Sequence, residues 1–145
     1  MKTLFATIAC FSLCALVAVA EGGDKTAAKI DGSWTATGGS DAGKQIPPGA
    51  LDKLMMVVVF KDGNYTVSIM GKEVEKGTYK INAKKKPSTI DMSVQEGKDK
   101  GKTQIGIFKI DADQLTMAVV IGSKDRPKTF DPAPDAEVRV LKRNK

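Results

Sequence analysis

The sequence predicts an all-β domain, either a sandwich or a barrel, and three observations support this. Short apolar or alternating runs recur at spacings of roughly 10 residues. Turn residues such as Asp62-Gly63-Asn64 separate these runs. No stretch carries the apolar period of an amphipathic helix of about three turns. Together, these features are typical of a small domain of about eight antiparallel strands.

The strongest apolar run, Leu54–Phe60, is rich in valine and too short for a typical helix, so it predicts a buried strand. Tyr65–Met70 alternates between apolar and polar residues and should form a hairpin with it. Ala50–Leu54 is compatible with one helical turn after Pro47-Pro48, which forbid a regular strand. The other strands are expected at Ser33–Thr37, Gly77–Ile81, Thr89–Val94, Thr103–Ile110, Leu115–Ile121 and Glu137–Lys142.

Some predicted strands are apolar on both faces, for example Met55–Val59 and Met117–Val120. One face must meet the core, and the other is covered by the Gly/Pro-rich loops, by a partner or by a ligand. Methionine fills irregular apolar space and also suits adaptable binding walls, so a filled core and a cavity both remain open. The candidate ligand lining is Met56, Val58, Phe60, Met70, Met92 and Met117.

The N-terminus has the organisation of a secretory signal. Lys2 precedes the uncharged run Leu4–Val17, and the small-residue site Ala18-Val19-Ala20 follows it. We expect cleavage after Ala20 and export to the periplasm or the extracellular space. Residues 21–29 are then a flexible leader and residues 30–145 one domain. The alternatives are a retained membrane anchor or a lipidated cysteine.

The residue inventory argues against an enzyme and against bound metals or cofactors. The chain contains no histidine, and both cysteines, Cys10 and Cys14, lie in the signal. The usual zinc and copper ligands, the serine and cysteine nucleophile arrangements and any disulfide are therefore excluded from the exported domain. Glu73 and Glu75 share one face if that segment is extended, but with Lys72 and Lys76 beside them they indicate a solvated turn.

The charge balance is mildly basic. The formal charge is +6, and loss of Lys2 with the signal would leave +5. Two lysine clusters, Lys84–Lys86 and Lys98–Lys102, should flank one strand at opposite ends and so form two solvated loops, with an anionic surface as the other interpretation. Export makes nucleic acid an unexpected partner, and no transmembrane segment remains once the signal is cleaved.

Several segments together resemble an exported lipocalin-like domain family that is abundant in planctomycete bacteria and has no assigned function. The first is Gly32-Ser33-Trp34, which has the Gly-x-Trp form seen at the start of lipocalin barrels. The resemblance covers roughly residues 30–143. The other matching segments are GKQIPPGALDKL, FKDGNYTV, KGTYKI, KKKPSTIDM, EGKDKGKTQIGIFKID, DRPKTF and VLKR.

The resemblance implies a small antiparallel lipocalin-like barrel with a structural cluster at one end. In lipocalins the tryptophan of this motif closes the barrel and packs under an arginine of the last strand. Gly32 and Trp34 match the motif, and either Arg139 or Arg143 supplies the cation. The short chain without a disulfide departs from ordinary lipocalins.

Two functions follow as expectations. The first is a non-enzymatic binding module that holds a small apolar or amphipathic ligand inside the barrel. The second is an interaction or structural module of the cell envelope, with a filled barrel and an exposed apolar or basic patch that contacts a protein or an anionic surface.

Overall fold

The computed structural model describes residues 29–145, so the predicted signal (residues 1–20) and nearly all of the predicted leader lie outside the described residues. The described range contains nine strands and a short helix, α1, at Ala50–Leu54. The strands are β1 Gly32–Asp41, β2 Lys44–Gln45, β3 Val57–Lys61, β4 Asn64–Ile69, β5 Lys72–Asn82, β6 Ser88–Gly97, β7 Thr103–Asp111, β8 Gln114–Ile121 and β9 Glu137–Arg143.

The fold is a closed antiparallel barrel of eight strands, which confirms the predicted fold class. From β3 to β9 each strand pairs with the next along the chain, and β1 pairs with both β3 and β9 to close the ring. The two-residue strand β2 only extends the far end of β1, through Ser40 and Asp41. Closure leaves the barrel without a free sheet edge.

Two boundaries differ from the sequence-based expectation. The apolar run at Leu54–Phe60 is not one strand, because Leu54 ends α1 and Met55 adopts a left-handed conformation (φ 43°) before β3 begins. The segment Lys72–Lys76 is not a turn, because the chain reverses at Met70 and Gly71 and β5 begins at Lys72.

The inner face of the barrel holds one continuous core. Its largest fully buried side chains include Trp34, Phe60, Tyr65 and Phe108. The Phe60 ring meets the Tyr79 ring edge-on, with centroids 5.0 Å apart. The half of the barrel around Trp34 is therefore filled by side chains, as small barrels commonly are.

A second apolar cluster lies on the outer face of the barrel and explains why some strands are apolar on both faces. Ile107, Ala118 and Val138 are buried there against Phe130 of the long β8–β9 connection. Arg126 fixes this connection by donating hydrogen bonds to the carbonyl oxygens of Ile90 and Gly106 and to Asp91. The chain's own loop therefore covers this face.

Within residues 29–145, no helix is long and apolar enough to cross a membrane.

Candidate functional site

One end of the barrel is closed by Trp34. Its ring is fully buried, and its Nε1 donates a 2.8 Å hydrogen bond to the carbonyl oxygen of Ile30. The guanidinium of Arg143 lies over the ring, with Cζ 4.1 Å from the centroid. Arg143 also donates to the carbonyl oxygens of Asp31 (2.9 Å) and Lys29. The guanidinium of Arg143 thus connects β9 to the indole of Trp34 and to the segment before β1.

Gly32 belongs to the same closed end. It has φ +134°, and an added Cβ would lie 2.6 Å from Arg143 Nη1, so a side chain there would displace the arginine. Tyr79 donates its hydroxyl to Asp31 Oδ1 (2.5 Å). Burial first, and then this hydrogen bond, raise the pKa of Tyr79 well above its ordinary value.

Arg139, the other candidate for this end, lies elsewhere. It pairs in register with Gly39, five residues from Trp34 along β1, whereas Arg143 pairs with Trp34 itself. Its side chain lines a cavity in the other half of the barrel. Because four is an even number of residues, both arginines lie on the inner face of β9, but at different depths in the barrel. The period of the strand alone therefore does not show which arginine lies over Trp34.

The other half of the barrel contains a cavity of about 410 Å³. Its walls come from the inner faces of the strands, with Leu51 of α1 buried at one side. The volume falls within the range of small-molecule sites, which are mostly apolar with a few polar groups that orient the ligand. Its aliphatic and aromatic lining includes Leu51, Leu54, Val58, Phe60, Val67, Ile69, Val74, Val119, Ile121 and Leu141.

The structure brings five of the six candidate lining residues to this cavity: Met56, Val58, Phe60, Met92 and Met117. Met70 is not among them. It adopts a left-handed conformation in the β4–β5 turn, and its side chain is 66% exposed. Leu54, Met55 and Val74 are also exposed, and of these Leu54 and Val74 line the cavity. The Met70 N–H donates to the carbonyl oxygen of Leu54. The alternation of β4 that puts Val67 and Ile69 on the cavity side puts Met70 on the opposite side, so Met70 does not line the cavity.

Three polar side chains form a hydrogen-bonded cluster, and two of them, Glu75 and Gln104, line the cavity. Glu75 Oε1 accepts hydrogen bonds from the Tyr65 hydroxyl (2.8 Å) and from Gln104 Nε2 (3.0 Å). Burial first, and then the bond to Glu75, raise the pKa of Tyr65 far above its ordinary value, so the phenol remains a donor. Sequence reasoning missed this cluster, because it combines residues from three strands.

Gly77 makes room for the cluster. It pairs with Tyr65 across β4 and β5, and a Cβ at this position would lie 1.9 Å from the Ser93 carbonyl oxygen and 3.0 Å from Tyr65 Cε1. The glycine therefore lets the tyrosine ring lie against the strand that carries Glu75.

Charged side chains also reach the cavity. Arg139 Nη2 lies 3.3 Å from Glu137 Oε1, and Arg139 Nη1 donates to the carbonyl oxygens of Ser40 and Val138. Burial is the main cause that raises the pKa of Glu137; Arg139 opposes it, while Asp41, Glu75 and Asp99 add to it. Among residues 29–145, Arg139 Nε is buried without a hydrogen-bond partner.

A second depression lies on the outer surface and is basic. Its lining joins Lys85 and Lys86 of the β5–β6 loop to Lys124, Arg126 and Lys128 of the β8–β9 connection. The lysine cluster at residues 98–102 lies instead in the β6–β7 loop, at the opposite end of β6. The lysines of the β5–β6 loop therefore lie beside the β8–β9 connection and not beside the lysines of the β6–β7 loop. Sequence spacing did not reveal this contact.

No group of three or more potential ligands from acidic, histidine or cysteine side chains gathers within the described part of the chain in a way that would hold a metal ion. A scan against protein-family models found no match for this chain, and neither did a search of curated proteins. The resemblance to the exported lipocalin-like family therefore stays a prediction. The fold and the site define the class: a small antiparallel barrel closed at one end by Trp34 and hollow at the other.

Proposed function

We propose that the protein is an exported, non-enzymatic module that binds a small amphipathic ligand inside its barrel. The observation that carries this proposal is the cavity of about 410 Å³ with an apolar wall and one internal polar cluster. An apolar body gains free energy by leaving water, at about 25 cal/mol per Å² buried. The polar cluster supplies hydrogen bonds that orient the ligand.

The distribution of packing in the barrel supports a binding role. The Trp34 end is filled and cross-linked by hydrogen bonds, so the barrel has a rigid base. The hollow half is lined by Met56, Met92 and Met117, whose flexible side chains adapt to different shapes. Preformed walls reduce the ordering cost of binding. The sequence signal and the resemblance to an exported lipocalin-like family agree with this proposal.

The test is a titration of the exported protein with N-phenyl-1-naphthylamine, a neutral apolar dye whose fluorescence rises when it leaves water. We expect saturable binding of one dye per chain. Val67 lines the cavity, so Val67→Trp should fill part of it and weaken dye binding at least about tenfold, the equivalent of roughly 1.4 kcal/mol.

Thr66→Trp is the matched control, because Thr66 precedes Val67 on β4 and faces the outside next to Val59 and Lys76. It adds the same ring without entering the cavity and should leave dye affinity unchanged. Absence of saturable binding, or equal losses in the two variants, would contradict the proposal. Circular dichroism establishes that both variants fold.

The basic surface depression favours a second candidate function, contact with an anionic surface of the cell envelope. Four lysines and Arg126 line it, against the single carboxylate of Asp125. Such a concentration of one charge attracts polyanions, and the attraction weakens as salt rises. Its test is sedimentation with vesicles of phosphatidylglycerol. Lys86→Glu combined with Lys128→Glu should abolish sedimentation, whereas Lys98→Glu combined with Lys100→Glu, in the other lysine loop, should not.

A further inference from the structure

The cavity has a charged wall that its own residues leave incompletely satisfied, and this feature indicates which ligand it takes. The inference rests on the binding function proposed above. It begins with the way β5 directs Glu75 inward. Val67 pairs with Glu75 and Ser68 with Glu73, so Val74 has no partner in β4 and forms a β-bulge. The bulge turns Val74 and Glu75 together into the cavity wall.

The same bulge sends Glu73 to the outside. Strict alternation would have put Glu73 and Glu75 on one face of β5. Instead, Glu73 lies 3.7 Å from Lys76 with its side chain half exposed, and Lys76 also pairs with Glu96. Two glutamates two residues apart thus have different surroundings: one in a solvated ion pair, the other in an apolar cavity.

Glu75 receives only neutral donors. The Tyr65 hydroxyl and the Gln104 amide both bond to Oε1, and within residues 29–145 no hydrogen bond reaches Oε2 and no ion pair includes Glu75. Neutral donors hold a carboxylate in place without cancelling its charge. Glu75 is partly buried, and a carboxylate that has lost part of its water is stabilised by a cationic partner, so a bound cation would be favoured there.

The other charges at the cavity do not supply that cation. Arg139 is engaged by Glu137 and by two carbonyl oxygens, and only its buried Nε has no hydrogen-bond partner within residues 29–145. Lys98 of the β6–β7 loop lines the cavity, but it is exposed, and within residues 29–145 no ion pair joins it to Glu75. Asp99, also in the lining, pairs with Lys102. The lining thus contains three carboxylates, those of Glu75, Asp99 and Glu137, and two cations, Arg139 and Lys98.

We propose that the barrel selects amphiphilic amines: molecules with an apolar chain or ring and one ammonium group that pairs with Glu75. The ammonium group donates to Oε2, while Tyr65 and Gln104 hold Oε1 in position. The apolar part lies among Met56, Met92 and the aliphatic wall. An anionic head group would instead have to displace Glu137 from Arg139 and approach the carboxylate of Glu75.

The test compares three ligands of one chain length and different head groups: decylamine, decanol and decanoate, each displacing N-phenyl-1-naphthylamine from the exported protein at pH 7. We expect decylamine to bind at least about tenfold more tightly than decanoate, with decanol between them. Equal affinities, or tighter binding of decanoate, would overturn the inference. This ranking needs no variant and so does not depend on whether a mutant folds.

Two variants, Glu75→Gln and its control Glu73→Gln, test whether Glu75 causes the preference for the amine. Both remove one carboxylate from β5, but only Glu75 lines the cavity. Glu75→Gln should reduce the affinity for decylamine about tenfold and leave decanol nearly unchanged, and Glu73→Gln should alter neither. Similar effects of the two variants would overturn the assignment to Glu75. If the dye itself does not bind, the proposed function fails; if the dye binds and the ranking is absent, only the amine inference fails.

Discussion

The two halves of the barrel use the same strands for different purposes. Around Trp34, aromatic rings fill the interior and Arg143 ties the last strand to the segment before β1. Around Glu75, the interior is hollow, and polar groups face an apolar cavity of about 410 Å³. The comparison shows how a barrel without a disulfide in its described part can hold a cavity: one half supplies stability and leaves the other half free for binding.

The first prediction compares two inward side chains of β6, Ile90 and Met92. Ile90 is fully buried in the filled half, whereas Met92 lines the cavity. Ile90→Ala should lower the free energy of unfolding by about 3–4 kcal/mol, because a new void opens in packed surroundings. Met92→Ala should cost about 1–2 kcal/mol, because part of its surface already faces empty space. Urea unfolding followed by circular dichroism measures both.

Equal losses for the two alanine variants would mean that the two halves are packed alike and would remove the basis for a binding cavity. A ligand adds a further check. Saturating decylamine should raise the stability of the native protein and of Ile90→Ala by similar amounts, because only the folded barrel binds it. A smaller gain is expected for Met92→Ala, whose cavity wall is altered.

The second, smaller effect concerns the arginine over Trp34. Arg143→Ala removes the stacked cation and its bonds to the Asp31 and Lys29 carbonyl oxygens, so we expect a loss of about 1–3 kcal/mol. Lys142→Ala, the exposed neighbour on β9, should change stability by less than about 0.5 kcal/mol. Thermal unfolding distinguishes them, and similar melting temperatures would contradict a structural role for Arg143.

Sequence reasoning predicted the strands better than the site. Alternation and turn residues place each strand of the barrel near its observed position, because both are local properties of the chain. Trp34, which the motif singled out, lies buried at the closed end under Arg143. The choice between Arg139 and Arg143 needed the register of β1 against β9, which local patterns do not contain.

The misjudged features have different physical causes. Glu75 appeared to belong to a solvated turn with Glu73, and the bulge at Val74 separates them. Met70 was included in the candidate lining, although alternation with Val67 and Ile69 puts it on the opposite face of β4, and it lies exposed in the β4–β5 turn. The basic depression depends on contact between two loops far apart in sequence.

The methionine methyl groups test the central claim, a ligand site in the hollow half, most directly. Met56, Met92 and Met117 line the cavity, while Met55 and Met70 are exposed outside it. In protein carrying ¹³C-methyl methionine, addition of N-phenyl-1-naphthylamine should shift the first three resonances through the ring current of the bound dye and leave Met70 unmoved. Shifts confined to Met55 and Met70, or no saturable shift at all, would contradict an internal binding site.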